Sequence, residues 1–330
     1  MTSTTRSGFA RMAAYSPDRV LIALLIASVI GAILQITLGG VVRVTGSGDG
    51  CPDWPLCYGR LIPPFEYHAL LEWSHRTVGS LVGIVIIAAT ARAWFRLPRD
   101  MTVVRLTAAA LILIAIVGGI GGAVVLNELD PALRTLHLAL AEMVVLLLVF
   151  ALVAVIHRPV GQSGANGGPL ATGARGESWQ GPTLKIAVFG AVAILVALLS
   201  GSYTVWREAG AVCSTWPLCG GPLIPQWELT WIHMAHRALS GAAVVVVLWA
   251  AHRAYRLPGA PATLRWASLA VLALAVTQIF VGALNPWTNF TEWARALHLS
   301  LATLTWVGML FIVALIRRPI PWRMAVRNYD

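Results

Sequence analysis

Four histidines in two matched pairs carry the chemistry legible in this sequence. His75 and His137 are 62 residues apart, and so are His236 and His298. Their surroundings repeat as well: Ser74-His75-Arg76 answers Ala235-His236-Arg237, and Arg134-Thr135-Leu136-His137-Leu138 answers Arg295-Ala296-Leu297-His298-Leu299. Two imidazoles facing each other between helices suit a haem iron, which takes axial nitrogen ligands. Zinc and copper also accept imidazole, but they normally recruit three or four protein ligands. No cysteine or carboxylate is positioned in both halves to complete such a set beside the histidines. The plain alternative is a set of interfacial histidines bonded to backbone carbonyls. Repetition at equal spacing, in segments where an ionisable group is costly, favours haem ligation.

Other residue types cluster around these histidines. Arg76 and Arg237 directly follow the first histidine of each pair, and Arg134 and Arg295 precede the second by three. Their forked guanidinium groups suit the propionates of a haem; the alternative is arginines that snorkel at helix ends. Glu72 precedes His75 by three and so shares its helix face, whereas the second half has His233 in that place. A carboxylate beside a cofactor pocket can accept protons, so Glu72 is the candidate catalytic residue, with an exposed acid at the helix start as the alternative. His233 reads as a packing or polar-network residue.

Each first histidine follows a Cys-x5-Cys loop, Cys51 to Cys57 and Cys213 to Cys219. Each pair can close a small disulfide that stiffens a lid over the pocket, and an accessible pair can also exchange electrons. The spacing is not a zinc signature, because companion ligands are missing. Glu142 lies within an apolar segment and matches Thr303 in the other half; an intramembrane acid is a functional candidate, unless it only bonds a neighbouring helix. His68, His157 and His252 read as solvated. No Walker motif, GxGxxG before a helix, GxSxG or HExxH occurs.

The elements that must hold these residues are membrane helices. The chain is 58% hydrophobic and 12% charged, against about 25% charged in ordinary soluble domains. Eight segments reach the roughly 20 apolar residues a bilayer demands, near 20–42, 68–95, 103–126, 132–156, 183–206, 229–252, 262–284 and 293–316. The first is too long for a signal-peptide core and lacks a convincing cleavage site, so it reads as a retained span. The net charge of +10 is a topology signal and not a footprint for nucleic acid. Of 24 Lys and Arg residues, 17 fall in the two tails and the turns near 92–105, 158–185 and 253–265, which share one side of an eight-span protein. The positive-inside rule puts that side, with both termini, in the cytoplasm. All four cysteines then face the oxidising outer side.

The expected fold class is an all-α polytopic membrane protein, with eight transmembrane helices as two parallel four-helix-bundle repeats. A cytoplasmic tail (1–19) precedes the first repeat (20–156). A linker (157–182) containing seven glycines reads as flexible and cytoplasmic. The second repeat (183–316) is followed by a basic cytoplasmic tail (317–330). All four ligand histidines are then expected near the outer face, at similar depth.

Gly39-Gly40-Val41-Val42-Arg43-Val44-Thr45-Gly46-Ser47-Gly48, Cys51-Pro52-Asp53-Trp54-Pro55-Leu56-Cys57 and Glu72-Trp73-Ser74-His75-Arg76 closely resemble haem A synthases of cytochrome oxidase assembly. The likeness covers nearly the whole chain. It implies an oxidoreductase that turns the C8 methyl of haem O into the formyl of haem A. It implies a haem b held by His236 and His298, a haem O substrate site at His75 and His137, and an important acid at Glu72. Implied partners are haem O, the haem O synthase that supplies it and an electron donor or acceptor in the plasma membrane; an oligomer is compatible with it. The second half departs from its own repeat, with Thr204-Val205-Trp206-Arg207-Glu208 in place of the Gly-rich approach to the cysteines. The competing class is a non-enzymatic di-haem electron-transfer protein or haem carrier, which would use the same histidines but would not need an acid in one half only.

Overall fold

The computed structural model describes residues 18–97, 99–156, 174–221 and 224–317. Among them the chain forms eight long helices: α1 (Arg19–Val44), α2 (Tyr67–Phe95), α3 (Met101–Leu126), α4 (Pro131–Ile156), α5 (Ala174–Trp206), α6 (Glu228–Tyr255), α7 (Ala262–Trp287) and α8 (Glu292–Ile316). All eight contain an apolar stretch long enough to cross a bilayer. A helix satisfies its own backbone groups where no water is available, so apolar runs of this length have little alternative. A short 3-10 turn, Ala209–Ala211, follows α5, and no strand forms among the described residues. The protein is a multi-pass membrane protein of all-α class, as expected.

The helix ends follow ordinary capping chemistry. Asp18 accepts a 3.0 Å hydrogen bond from the Leu21 amide and caps α1. The same carboxylate pairs with Arg92 (3.0 Å) and Arg96 (3.3 Å) at the end of α2, tying the two ends together on one face. Asp100 caps α3 through the amides of Thr102 and Val103. Seven helices begin within two residues of the expected spans. The exception is α5, which starts at Ala174 and continues through Pro182, inside the stretch expected as linker. Glycine and proline lower helix propensity, but a tertiary contact opposes them: Gln180 donates a 2.6 Å bond to the Ile316 carbonyl at the end of α8. The expected tails at 1–17 and 318–330 and the linker residues 157–173 lie outside the described residues, as does His157.

The helices close into two rings. α1 packs on α2, α2 on α3, α3 on α4 and α4 back on α1; α5 to α8 repeat this order. The rings meet where α1 and α4 pack on α8, and α4 on α5. Burial marks that seam as the middle of the molecule. In α4 and α8, 56% and 67% of the most apolar window is buried, against 22–33% in the other six helices.

Candidate haem-binding site

The connection between α1 and α2 lies over the mouth of the first ring, and a matching one lies over the second. Both cysteine pairs are bridged, Cys51 to Cys57 and Cys213 to Cys219. Inside the first loop, the amides of Gly59 (2.7 Å) and Tyr58 (2.6 Å) donate to the Asp53 carboxylate and hold its carboxyl below the usual carboxylate range. Trp54 reaches from the loop to α3, where a Cβ on Gly122 would lie 2.7 Å from its ring. In the second half Trp216 packs edge-on against Trp287 of α7, with centroids 6.1 Å apart. Each loop therefore spans its ring of helices as a lid.

The arginines next to the first histidines anchor these lids. Arg76 donates to the carbonyls of Asp53 (2.7 Å), Leu56 (2.6 Å) and Cys51 (3.2 Å). Arg237 does the same to Thr215 (2.7 Å), Leu218 (3.0 Å), Pro217 (3.1 Å) and Cys213 (3.2 Å). Five fixed donors in a plane suit a fan of carbonyls. Read from sequence as propionate donors, these two guanidinium groups here donate to loop carbonyls, and Arg76 also to Glu72.

Glu72 belongs to the same assembly. The residue is 4% exposed, so it is not the exposed acid of the alternative. One oxygen accepts from the Cys51 amide (2.9 Å) and the other from Arg76 (2.5 Å). Its positional mate His233 is also buried, with Nδ1 2.8 Å from the Ala209 carbonyl, as expected of a polar-network residue. His68 is exposed, as expected, and its Nδ1 lies 2.8 Å from the Ser47 hydroxyl. His252 is exposed, as expected.

The four ligand histidines are brought together in their pairs. His75 and His137 are close enough that a charge on one acts on the other, and the same holds for His236 and His298. All four rings are half-buried, as side chains lining a cleft would be. Each ring is backed by a glycine on the preceding helix. A Cβ would lie 2.8 Å from His75 Cε1 at Gly39, 3.1 Å from His137 Cε1 at Gly121, 3.0 Å from His236 Cε1 at Gly201 and 3.3 Å from His298 Cε1 at Gly282. Absence of a side chain is what lets each imidazole lie against the neighbouring backbone. These glycines escaped the sequence reading, although their offsets of 162 and 161 residues match those of the cysteines and histidines.

Polar contacts to the rings differ between pairs. The Gln35 amide nitrogen lies 3.0 Å from His75 Nδ1 and donates to the His75 carbonyl at 2.9 Å. The Ser200 hydroxyl lies 2.8 Å from His236 Nδ1. His137 Nδ1 and His298 Nδ1 are buried without a partner. Buried ring nitrogens are rarely left so. Among the described residues no group of three or more His, Cys, Asp or Glu is placed to hold a metal ion, so a closed protein-ligated zinc site has no ligand set. Paired, glycine-backed imidazoles do fit a planar porphyrin with two axial ligands.

An all-α membrane protein with two imidazole pairs under disulfide-bridged lids defines a class of bis-histidine membrane proteins. Within it, the family model described as Cytochrome oxidase assembly protein, COX15-CtaA, matches residues 22–310, and the chain belongs to that family. It is similar to a protein named Heme A synthase from Symbiobacterium thermophilum, 30% identical over 87% of this chain and 92% of the relative. Proteins of the same name from Alkalihalophilus pseudofirmus (28% identical; 88% of this chain, 95% of the relative) and Staphylococcus carnosus (27%; 89% and 92%) also match.

Proposed function

We propose that this chain is a haem A synthase, an oxidoreductase that converts the C8 methyl group of haem O to a formyl group. The observation that carries it is the pair of neighbouring, glycine-backed imidazoles in each half, in a chain of this family. In this proposal His75 and His137 hold the haem O substrate, and His236 and His298 hold a resident haem b. The bound iron porphyrin supplies the oxidising power that no side chain has.

The chain's own residues do the rest. The glycines fix the ring planes, and Gln35 and Ser200 orient His75 and His236 through the nitrogen not used for the metal. The lids, held by Arg76 and Arg237, cover the two clefts. Glu72 is the proposed proton acceptor, through the oxygen it shares with Arg76. It lies one turn before His75, and the second half has a histidine in its place. Arg134 and Arg295 are the proposed propionate partners. Residues 20–156 and 183–316 are proposed as parallel repeats. The distribution of Lys and Arg supports cytoplasmic termini, with the clefts near the outer face of the plasma membrane. A haem O synthase would supply the substrate, and an acceptor in the membrane would take the electrons.

The test is chromatography of the haems extracted after co-expression with a source of haem O. Haem A in the extract is the expected result. Haem B alone would leave only an electron relay.

A further inference from the structure

Three arginines converge on the seam between the two rings. Arg43 lies in the last turn of α1, and Arg134 and Arg295 lie in the first turns of α4 and α8. Those three helices pack on one another. α1 and α8 approach so closely that a Cβ on Gly40 would lie 2.7 Å from Leu299 Cδ2. Arg295 reaches across and donates a 3.1 Å bond to the Val44 carbonyl. Arg43 in turn lies within the electrostatic reach of both Arg295 and Arg134.

Among the described residues no carboxylate forms an ion pair with these three arginines; only the carbonyl end of α1 offers partial negative charge. The ion pairs seen elsewhere among the described residues, such as Arg76 with Glu72, Arg92 and Arg96 with Asp18, and Arg207 with Glu228, involve none of them. The acids nearest in sequence are otherwise placed: Asp130 accepts from the Leu133 amide at 2.9 Å, and Asp49 and Glu292 are exposed. The Nε atoms of Arg43 and Arg295 are buried without an acceptor. The positive ends of the α4 and α8 dipoles point to the same place. Like charges gathered at a membrane-embedded seam are costly without a counter-ion, and forked donors select carboxylate or phosphate.

We propose, on the footing of the haem reading above, that Arg43, Arg134 and Arg295 form one anion site that both halves share and that takes the carboxylate groups of the porphyrins. Arg134 stands one turn outward of His137 and Arg295 one turn outward of His298, each on the face of its histidine. A porphyrin on either pair, with its acid edge outward, brings that edge to the seam. Arg43 is on neither histidine-bearing element of the first half, lies within electrostatic reach of both arginines, and of His298 in the second half. It therefore links the two clefts: a change in the first half is felt by the ligand of the second.

The experiment uses full-length protein in detergent, with His75 and His137 both replaced by alanine so that only the second pair remains. Haem b and its dimethyl ester, in which both carboxylates are masked, are titrated into this background with and without Arg43→Gln. Low-spin absorption reports occupancy. The background should prefer the free acid by about tenfold or more, as expected for loss of a charge-assisted bond. Arg43→Gln should remove most of that preference, and Arg43→Lys should retain part of it. An unchanged preference in Arg43→Gln overturns the proposal. If that variant does not fold, equal binding of acid and ester by the background alone overturns it. Loss of co-purifying phospholipid phosphorus in Arg43→Gln, with porphyrin discrimination intact, assigns the site to a lipid headgroup and overturns the carboxylate. A chain with all four histidines that takes up neither porphyrin overturns the haem reading, and the shared site with it.

Discussion

Glu142 of α4 accepts a 2.7 Å hydrogen bond from the Thr303 hydroxyl of α8, and the two residues are 161 positions apart, the offset of the repeated histidines. In the parallel repeat proposed above, such a contact between corresponding positions falls beside the axis relating the halves. Both side chains have no exposed surface, and the second Glu142 carboxyl oxygen has no partner. Trp306 adds a longer contact, 3.4 Å, to the Glu142 carbonyl. The sequence left Glu142 as a functional acid or a bond to a neighbouring helix; the geometry provides the bond.

The energetics of that bond are testable. Thr303→Val strands a buried carboxyl without its donor and should cost about 1–3 kcal/mol. Glu142→Gln keeps an acceptor for Thr303 and should cost less. Replacing both partners by apolar residues, Glu142→Leu with Thr303→Val, should recover part of the loss, because no orphaned group remains. Thermal unfolding of the purified variants gives the order. If Thr303→Val is as stable as the parent, the seam does not depend on this pair.

The glycine contacts make a graded prediction for the second histidine pair. An added methyl would lie 3.0 Å from the ring at Gly201 and 3.3 Å at Gly282. Gly201→Ala should therefore reduce low-spin haem more than Gly282→Ala does. Gly83 of α2 has nothing within 4 Å of its missing Cβ. Gly83→Ala should leave the spectrum unchanged and stabilise the helix by about 0.5–1 kcal/mol. Equal spectra for Gly201→Ala and Gly83→Ala would show that the glycine does not seat the ring.

Both disulfides close short loops. On the chain-entropy estimate such a loop contributes about 2 kcal/mol, so loss of one bridge should lower stability without unfolding a protein held by eight membrane helices. Arg76 and Arg237 hold the same loops by carbonyl contacts. Cys213→Ser with Cys219→Ser should accordingly keep the haem bound by His236 and His298. Peptide mapping without reduction should find Cys51 joined to Cys57 and Cys213 to Cys219. Free thiols in protein matured in its own membrane would contradict that pairing.

Hydrophobic length made the helices legible in sequence, and repetition made the histidines and cysteines legible. Both signals are written along the chain. What the sequence hid depends on which helix faces which. Nothing around Gln35 marks it as a neighbour of His75, because the contact crosses from α1 to α2. Arg76 and Arg237 look equivalent to Arg134 and Arg295 until the loops fold back over the first pair. Arg43 has Thr204 or Val205 at the repeat offset, so the search for matched residues passed over it. Among the helix boundaries the start of α5 departs most, nine residues early, since composition cannot register the Gln180 contact with α8, while α6 and α7 each run three residues further than expected.

Glu72 offers the sharpest test of the proposed chemistry. Turning a methyl into a formyl group removes hydrogen and adds oxygen, so protons must leave the neighbourhood of the substrate. Glu72 lies one turn from His75 on its face, but its two oxygens also hold the Cys51 amide and Arg76. A proton acceptor and a lid anchor would both fail on substitution, so two readouts are needed. Glu72→Gln keeps an acceptor for the Cys51 amide and loses the charge facing Arg76. The haem bound through His236 and His298 should remain. The ratio of haem A to haem O in membrane extracts should fall by about 10²–10⁴-fold, the usual contribution of an acid–base group. Arg76→Gln frees the same lid but leaves the carboxylate in place, and should reduce the ratio less. Reduction of the Cys51–Cys57 bridge by added thiol measures the lid directly in both variants. If both loosen the lid equally and lower the ratio equally, Glu72 acts only by holding the loop. A parent-like ratio in Glu72→Gln would remove it from the chemistry and leave the conversion to the iron and its histidines.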